Sequence, residues 1–248
     1  MDIIVNGALG RMGRTLTEMI DAEDGLRVAA RVDQNAAPGD GCFGSLFDCD
    51  APADALIDFS NHAATAAVMD YCAARSLPAV IATTGQTEAE LALIRGAAET
   101  IPVFLSANMS IGVALLAELA KKAASVFPEA DIEIIERHHN RKLDVPSGTA
   151  LLLARRIREA RPEAEFVVGR HENGRRAKHE IGIHSLRYGG EVGTHEIIIA
   201  AGSETITLKH EAEDRALFAR GAIAAARFLP GHVPGLYDMR HLIAQEGN

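Results

Sequence analysis

The alternation of hydrophobic and polar positions predicts two regions with different architectures. In the first part of the chain, short apolar runs alternate with amphipathic stretches of about 10 to 15 residues. The pattern predicts strands at residues 3–5, 26–32, 55–59, 79–82 and 102–105, helices at 11–23, 62–75 and 88–100, and a loop at 33–54. Strands that alternate with helices are typical of βαβ units, so we expect a Rossmann-like, doubly wound parallel sheet.

The pattern changes in the second part of the chain. Three strand-like runs follow one another with no helix between them, at residues 180–187, 196–200 and 205–210. A strand at 132–136 and helices at 112–126, 149–159 and 215–228 complete the prediction. Consecutive strands indicate antiparallel pairing. We therefore expect an α/β fold with a second α+β domain that carries a mixed or antiparallel sheet.

The composition is that of an ordinary globular protein with an acidic surface. Hydrophobic residues make up 48% of the chain and charged residues 24%, and the formal net charge is -9. Such a surface repels phosphate backbones, so we expect no nucleic-acid partner. An anionic substrate would have to be attracted by a local basic cluster.

The cysteines and the apolar runs indicate a cytoplasmic setting. Cys42, Cys49 and Cys72 contain no CxxC pair and are odd in number, which disfavours a disulfide framework or a zinc site. No apolar run reaches the roughly 18 residues that a membrane span needs, and no signal-like segment opens the chain. We expect a soluble cytoplasmic protein with no metal and no membrane partner.

A glycine-rich turn follows the first predicted strand and opens the first predicted helix. Gly7, Gly10 and Gly13 are spaced as GxxGxxG, and Asp33 follows about twenty residues later. Glycines let a backbone approach a pyrophosphate, the helix N-terminus attracts it, and the acid accepts hydrogen bonds from a ribose. A carboxylate there repels a 2′-phosphate, so NADH should serve at least as well as NADPH, although Arg31 weakens that argument. The alternative is a glycine-rich turn without a ligand.

The segment 136–149 concentrates positive charge in an acidic protein. Five of the six residues from 137 to 142 can carry a positive charge, and Pro-Ser-Gly-Thr at 146–149 is a natural helix entry. A basic cluster beside free helix N–H groups suits a dicarboxylate, and histidine can move a proton near neutral pH. A solvated basic loop is the alternative. A two-histidine metal site is disfavoured because adjacent strand residues point to opposite faces.

These motifs, taken together, resemble those of the dihydrodipicolinate reductase family. The segment 136–149 matches E-x-H-H-x-x-K-x-D-x-P-S-G-T, and 7–13 matches G-A-x-G-R-M-G. Further similar blocks are D-F-S at 58–60, T-T-G at 83–85, S-A-N-M-S-I-G at 106–112, the glycine-rich run 187–195, and the closing blocks 210–221 and 235–239. They follow the family's order from residue 7 to residue 239.

The resemblance implies a role for each matching residue. His138 would be the general acid/base and Lys142 the proton donor. The substrate carboxylates would be held by His139, Ser147, Gly148 and Thr149, with Thr84 facing the same pocket. The nicotinamide cofactor would be lined by Gly7, Ala8, Leu9, Gly10, Arg11, Met12, Asp33, Phe59, Ala82, Thr83, Thr84, Ser106, Ala107, Asn108 and Met109.

The resemblance also implies an activity and an assembly. The family uses NADH or NADPH to reduce 4-hydroxy-tetrahydrodipicolinate to tetrahydrodipicolinate, with loss of water, in lysine and diaminopimelate biosynthesis. We accordingly expect a dinucleotide-binding domain of residues 1–110 with 216–248, and a substrate-binding and oligomerisation domain of residues 111–215. A homotetramer and a hinge near residues 108–111 are implied as well.

Three departures from the family pattern and four alternative hypotheses remain at the level of sequence. Ala82 replaces the family's usual glycine, Val145 replaces its usual alanine, and the segment 33–54 is short beside that of long-chain members; these departures bear on kinetics and cofactor choice more than on reaction type. A structural or interaction protein would not need a His-His-Lys cluster beside a helix N-terminus. A paralogue acting on another small dicarboxylate or imine would change the 146–149 block, and a regulatory protein without turnover would lose His138 or Lys142. A semialdehyde dehydrogenase would need a placed cysteine nucleophile, which the predicted positions of the three cysteines do not provide.

Overall fold

The structure, a computed structural model, describes residues 1–37, 39 and 41–246. The chain divides into two compact units, one formed by Met1–Ser110 with Ala216–Asn248 and the other by Ile111–Arg215. The strands are β1 (Asp2–Asn6), β2 (Arg27–Val32), β3 (Ala55–Asp58), β4 (Ala79–Ile81), β5 (Pro102–Leu105), β6 (Asp131–His138), β7 (Glu165–Val168), β8 (Glu180–Arg187), β9 (Gly193–Ala201), β10 (Glu204–Ala212) and β11 (Gly235–Tyr237). The helices are α1 (Arg11–Asp21), α2 (Thr65–Ala74), α3 (Glu88–Ala97), α4 (Ile111–Val126), α5 (Gly148–Arg158), α6 (Ala216–Phe228) and α7 (Met239–Glu246). Over the described residues, no helix is both long enough and apolar enough to cross a bilayer.

The first unit is built on a six-stranded sheet in the order β11-β5-β4-β3-β1-β2, with parallel neighbours throughout. The central strands are apolar runs, such as Ile3–Ile4–Val5, and are fully buried. Burial of this kind is expected of a parallel sheet whose two faces are both covered by helices. The doubly wound sheet predicted from the sequence is confirmed.

Some elements of this unit differ from the predicted ones. The predicted helix 62–75 opens with a 3₁₀ turn at His62–Ala64 before α2 begins. The predicted loop 33–54 contains a 3₁₀ turn at Leu46–Asp48 and a bridge from Phe43 to Val32, while positions 38 and 40 lie outside the described residues. β11 and α7 were not predicted. For β11 the reason is its length, since a three-residue strand is too short to show a periodicity.

The second unit is a mixed sheet in the order β10-β9-β6-β8-β7. β6, β8 and β7 are parallel to one another, and β9 is antiparallel to both β6 and β10. The helices α4 and α5 pack on one face, over a core that includes Leu116, Ala120, Ile132, Ile134, Leu153, Ile157, Ile181, Ile183, Ile197 and Ile199. The predicted mixed sheet is confirmed, and β7 is an edge strand that the sequence pattern did not reveal.

Candidate functional site

The glycine turn of the first unit is closely packed at two of its three glycines. Gly7 has a φ of +78°, which favours glycine, and a Cβ there would lie 2.7 Å from the backbone of Phe59 and Ser60. A Cβ on Gly13 would lie 2.1 Å from the carbonyl oxygen of Gly7. The turn between β1 and α1 therefore requires glycine at both positions. Dinucleotide-binding turns need glycine for the same reason, because the helix packs closely on the strand.

The glycine turn leaves the N-terminal end of α1 accessible to an anion. The N–H groups of Gly7 and Ala8 donate to the carbonyl of Val32, and the N–H of Leu9 donates to Asp33 Oδ2 at 3.0 Å. Gly10 is the N-cap of α1 and has no side chain with which to cap it. The first N–H groups of α1, at Arg11 and Met12, are thus available to a phosphate.

The other predicted cofactor residues follow the carboxyl ends of neighbouring parallel strands. Phe59 follows β3, Ala82 to Thr84 follow β4, and Ser106 to Met109 follow β5. β1 lies between β2 and β3, so the chain reverses direction along the sheet at this edge. Open α/β sheets bind ligands at such a switch point. These residues fit a dinucleotide.

Buried polar contacts hold these loops in place. Thr83 is buried and its Oγ1 donates to Asp58 Oδ2 at 3.4 Å, while Thr84 is exposed. Ser106 Oγ donates to the carbonyl of Asn108 at 2.7 Å. Met109 is buried against α6, where a Cβ on Gly221 would meet the Met109 carbonyl oxygen at 1.7 Å.

Asp58 organises the switch point and was not predicted as a site residue. Its Oδ1 accepts hydrogen bonds from Asn6 Nδ2 at 2.8 Å and from Ser60 Oγ at 2.6 Å. Burial raises the pKa of Asp58, against these hydrogen bonds, which lower it. The signal in the sequence was the D-F-S block, whose aspartate ends β3 beside the last residue of β1.

In the second unit, the carboxylate of Glu136 is the centre of a buried network. Glu136 has no exposed surface, and its Oε1 accepts from Ser147 N at 3.1 Å and from Arg187 Nη2 at 2.7 Å. Its Oε2 accepts from Arg187 Nη1 at 2.8 Å and from His138 Nδ1 at 2.5 Å. Burial by itself would raise the pKa of Glu136, but the hydrogen bonds from His138 and Arg187 outweigh it and hold the pKa well below the ordinary value.

Strand register explains why these side chains meet. In the pairing of β6 with β8, His138 lies opposite Arg187, and in the pairing of β6 with β9, Glu136 lies opposite His195. Glu136 and His138 are two residues apart on one strand, so both point to the face that α4 and α5 cover. The predicted catalytic histidine is therefore only 8% exposed.

His138 is enclosed by a second histidine and a glycine. The ring of His195 meets it edge to face, with 5.2 Å between the centroids. Burial and the neighbouring charge of His138 lower the pKa of His195 to about 3, so His195 is neutral near neutral pH. A Cβ on Gly193 would lie 2.8 Å from His138 Nε2. Glycine at this position leaves space at the nitrogen that Glu136 does not contact.

The entry of α5 lies in the same network. Ser147 is the N-cap: its Oγ accepts from Ala150 N and lies 3.1 Å from His195 Nε2. Gly148 and Thr149 are the first residues of α5, whose N-terminal N–H groups attract anions. Of the three predicted substrate-binding residues here, Ser147 donates its N–H directly to Glu136 Oε1, and Gly148 and Thr149 follow it in the chain.

Lys142, Arg141 and Arg215 bring positive charge to the surroundings of His139. Lys142 Nζ lies 2.8 Å from Asp144 Oδ1, and Lys142 is close enough to lower the pKa of both His139 and His195 by its charge. Burial first, and then the charges of Arg141 and Arg215, lower the pKa of His139. These cations form a local attractive field in an acidic protein.

The Nδ1–H group of His139 is a hydrogen-bond donor that could bind a ligand. Its Nε2 lies 3.4 Å from Arg215 Nη2, and a guanidinium can only donate, so a neutral ring carries its proton on Nδ1. That Nδ1 is buried and meets no hydrogen-bond partner among the residues that the structure describes. Such a donor suits a ligand carboxylate oxygen.

Three residues of this network were not predicted from the sequence. Glu136, Arg187 and His195 all stood in family-like blocks, but nothing in their own segments indicated a contact between them. For Glu136 the signal was its position two residues before His138, on the same strand face. Arg187 and His195 could be placed only by the pairing of β8 and β9 with β6, which sets Arg187 opposite His138 and His195 opposite Glu136.

Comparison with known proteins identifies the family. The model of the dihydrodipicolinate reductase N-terminus matches residues 1–109, and that of the C-terminus matches residues 112–243. The chain belongs to the dihydrodipicolinate reductase family. The family resemblance drawn from the sequence motifs is therefore confirmed.

Two similar relatives of the family are named 4-hydroxy-tetrahydrodipicolinate reductase. The protein from Caldanaerobacter subterraneus subsp. tengcongensis is 43% identical over 244 residues, covering 97% of each chain. The protein from Clostridium tetani is 40% identical, covering 96% of this chain and 94% of the relative. The chain thus spans almost the whole length of these family members.

Solved structures show the same fold. The dipicolinate-bound dihydrodipicolinate reductase from Paenisporosarcina sp. TG-14 has a TM-score of 0.80 and 24% identity, covering 96% of this chain and 97% of that one. A probable dehydrogenase from Thermotoga maritima has a TM-score of 0.62 and 12% identity. At these identities the likeness supports the fold of this family member and nothing more specific.

Proposed function

We propose that the protein is an oxidoreductase that uses a nicotinamide cofactor to reduce 4-hydroxy-tetrahydrodipicolinate to tetrahydrodipicolinate, with loss of water, in lysine and diaminopimelate biosynthesis. One observation carries the proposal for this chain. His138, at the end of β6, and Ser147, the N-cap of α5, both donate hydrogen bonds to the buried carboxylate of Glu136. A proton-transfer group and an anion-binding helix entry are thereby held side by side. The names of the relatives support the same reaction.

The substrate would be held by its two carboxylates. The donors that suit them are the N–H groups of Gly148 and Thr149, the Nδ1–H of His139, and the ammonium of Lys142. Ser147 shapes the entry by capping α5. The dipicolinate bound to the Paenisporosarcina relative supports a planar ring with two carboxylates as the ligand class. Thr84 as a further contact to the substrate stays a prediction.

Protonation is the contribution of the second unit to the chemistry. Addition of hydride to the unsaturated ring places negative charge on it, and a proton held at His138 or at Lys142 Nζ can neutralise that charge. The departing hydroxyl also needs a proton to leave as water. His138 as general acid/base and Lys142 as proton donor are the roles we propose.

The first unit would hold NADH or NADPH, which supplies the hydride when bound. The pyrophosphate would meet Gly7, Ala8, Leu9, Gly10, Arg11 and Met12, the ribose Asp33, and the nicotinamide end Phe59, Ala82, Thr83, Thr84, Ser106, Ala107, Asn108 and Met109. The glycine packing and the open first turn of α1 support this assignment.

We propose that NADH is used at least as well as NADPH, because Asp33 is an acid at the end of β2. Asp33→Asn keeps an oxygen for the N–H of Leu9 but removes the charge that repels a 2′-phosphate. The variant should lower affinity for NADH and raise affinity for NADPH, shifting their ratio by about 10-fold, as for one charged hydrogen bond. Fluorescence titration of both cofactors measures it, with the exposed Asp50→Asn as control. An unchanged ratio would show that Asp33 does not contact the ribose.

A coupled assay tests the reaction itself. The protein is mixed with NADH or NADPH, aspartate semialdehyde, pyruvate and the synthase that joins the last two, and the loss of reduced-cofactor absorbance is followed. We expect oxidation that depends on the synthase and is competitively inhibited by pyridine-2,6-dicarboxylate. His138→Gln should abolish most of the rate, whereas His171→Gln, at a side chain that is 81% exposed, should not. Protein that binds NADH but shows no oxidation would reopen the substrate.

We further propose a homotetramer assembled through the sheet of the second unit. The face of that sheet opposite α4 and α5 carries the half-buried side chains of Ile135 and Ile198 and the exposed side chain of Leu186. A second copy would remove this apolar surface from water. Sedimentation of the wild-type protein measures the mass, and a stable monomer would contradict the assembly.

A cytoplasmic location is the setting that we propose. Cys42, Cys49 and Cys72 are all free thiols in the structure. Free thiols are maintained in reducing compartments. Immunodetection after cell fractionation would test the location directly.

A further inference from the structure

The buried carboxylate of Glu136 is saturated with hydrogen-bond donors. Each of its oxygens accepts two hydrogen bonds, from Ser147 N and Arg187 Nη2 at Oε1, and from Arg187 Nη1 and His138 Nδ1 at Oε2. An ionised carboxylate has about four lone-pair positions and no proton to give. A backbone N–H and a guanidinium can only donate, so Glu136 is ionised and leaves no acceptor position unused.

This saturation dictates the tautomer of His138. Because Oε2 can only accept, Nδ1 of His138 must carry the proton of the contact at 2.5 Å. The neutral ring then has its lone pair on Nε2, the nitrogen that faces the space left by Gly193. A carboxylate that fixes one imidazole nitrogen in this way decides which nitrogen exchanges protons with a substrate.

The same carboxylate reaches the other two groups of the site. Arg187 Nη2, which donates to Glu136, also donates to the carbonyl of Asp144 at 2.8 Å. Asp144 in turn holds Lys142 Nζ at 2.8 Å. Ser147 N, the fourth donor to Glu136, belongs to the N-cap of α5. The orientation of the histidine, of the lysine loop and of the helix entry thus depends on one side chain.

We propose that Glu136 is the positioning residue of this site, which fixes the Nδ1–H tautomer of His138 and, through Arg187 and Ser147, the placement of the Lys142 loop and of the α5 entry. The inference rests on the proposed function, since it concerns how the groups of that reaction are oriented. Glu136 itself touches no reacting atom in this scheme.

The substitution Glu136→Gln makes the proposal testable because the two orientations of the amide are not equivalent. With the NH₂ in the place of Oε1, it would face two donors, Ser147 N and Arg187 Nη2. With the NH₂ in the place of Oε2, it faces one donor, Arg187 Nη1, and can donate to His138 Nδ1. The second orientation is favoured, and it forces the proton of the neutral His138 ring onto Nε2.

The readout is the ¹⁵N spectrum of the histidine rings at the alkaline end of their titration. The signal of His138 is identified by its absence from His138→Asn. We expect the Nδ1–H tautomer in the wild-type protein, the Nε2–H tautomer in E136Q, and kcat lower by about 10²-fold in E136Q, with a smaller change in KM. Glu136→Asp, which keeps a carboxylate, should restore the wild-type tautomer and part of kcat.

Glu159→Gln is the matched control. Glu159 lies at the C-terminal end of α5, opposite the Ser147 entry, and its carboxylate also pairs with two cations, Lys121 at 2.8 Å and Arg156. E159Q should leave the His138 tautomer and turnover as in the wild-type protein. A loss of turnover equal to that of E136Q would show that any broken ion pair in this unit has the same effect, and the proposal would fail.

The remaining outcomes decide the proposal as well. An Nε2–H tautomer in the wild-type protein overturns it, and this measurement needs no variant to fold. An unchanged tautomer in E136Q, or a reversed tautomer with wild-type turnover, also overturns it. Failure of the proposed function is distinguishable, because it appears as absent turnover in the wild-type protein, whatever the tautomer of His138.

Discussion

Gly193→Ala is a minimal perturbation of the reactive end of His138. Gly193 is the first residue of β9, and the added Cβ would lie 2.8 Å from His138 Nε2 and 3.2 Å from its Cδ2. Favourable contacts between such atoms begin at about 3.5 Å, so the ring must retreat by about 0.7 Å. The ring is 8% exposed and its Nδ1 is bonded to Glu136 at 2.5 Å, so it has little freedom to move.

The expected cost follows from that displacement. Overpacking of this kind costs about 1 to 3 kcal/mol of stability. A reacting group misplaced by about 1 Å can lose about 10²-fold in rate, so we expect kcat to fall by about 10- to 100-fold. Binding of NADH should be unchanged, because the glycine turn that we assign to it lies in the other unit. The coupled assay gives kcat, and fluorescence titration gives the affinity for NADH.

Gly190→Ala is the control for this prediction. Gly190 lies three residues before Gly193, in the connection between β8 and β9, and a Cβ there would meet nothing within 4 Å. This variant should turn over like the wild-type protein. If G193A and G190A had equal turnover, the close approach of residue 193 to His138 would have no bearing on the reaction, and the placement of His138 as its acid/base would be wrong.

Three further variants test other parts of the argument. Gly13→Ala should remove most of the affinity for NADH, because the added Cβ would lie 2.1 Å from the carbonyl oxygen of Gly7. Gly96→Ala is the control and should keep the affinity, because a Cβ there meets nothing within 4 Å. Equal affinities in the two variants would contradict the assignment of the glycine turn to the cofactor. The pKa of His195 is lowered from 6.5 to about 3, so between these pH values the unfolded chain binds a proton that the folded chain does not. His195 therefore makes the free energy of unfolding fall by up to about 1.4 kcal/mol for each pH unit below 6.5. His195→Asn should therefore lose stability less steeply in urea titrations from pH 7 to about pH 5. Equal slopes in H195N and the wild-type protein would refute the buried neutral histidine. Lys142→Ala should lower turnover by about 10² or more through lost protonation, and near-normal turnover would remove its proposed role.

Several features could be derived from the sequence because they are local. The turn 7–13 and the helix entry at 146–149 are encoded in consecutive residues, and the observed α1 and α5 begin within one residue of the predicted starts. The alternation of strands and helices predicted the doubly wound sheet, because each βαβ unit buries an apolar strand beneath its own helix. The short β11 could not be found in this way, since it exists only by pairing with β5.

The polar network of the second unit was decided by the tertiary structure. Glu136 and His138 share a strand face, and that much is readable from their spacing. Arg187 and His195 reach them only because β8 and β9 pair with β6 in a particular register. A shift of one residue in either register would turn these side chains to the other face of the sheet.

The sequence alone therefore determined which chemical groups this protein carries and in which local elements they lie, since propensity, capping and turn chemistry act over a few residues. Only the tertiary structure decided which groups touch: Asp33 with Leu9, Asp58 with Asn6, and Glu136 with Arg187. The physical reason is that a carboxyl group is buried only where donors from distant segments converge on it. Such convergence is fixed by strand register and helix packing, which no single segment of the chain encodes.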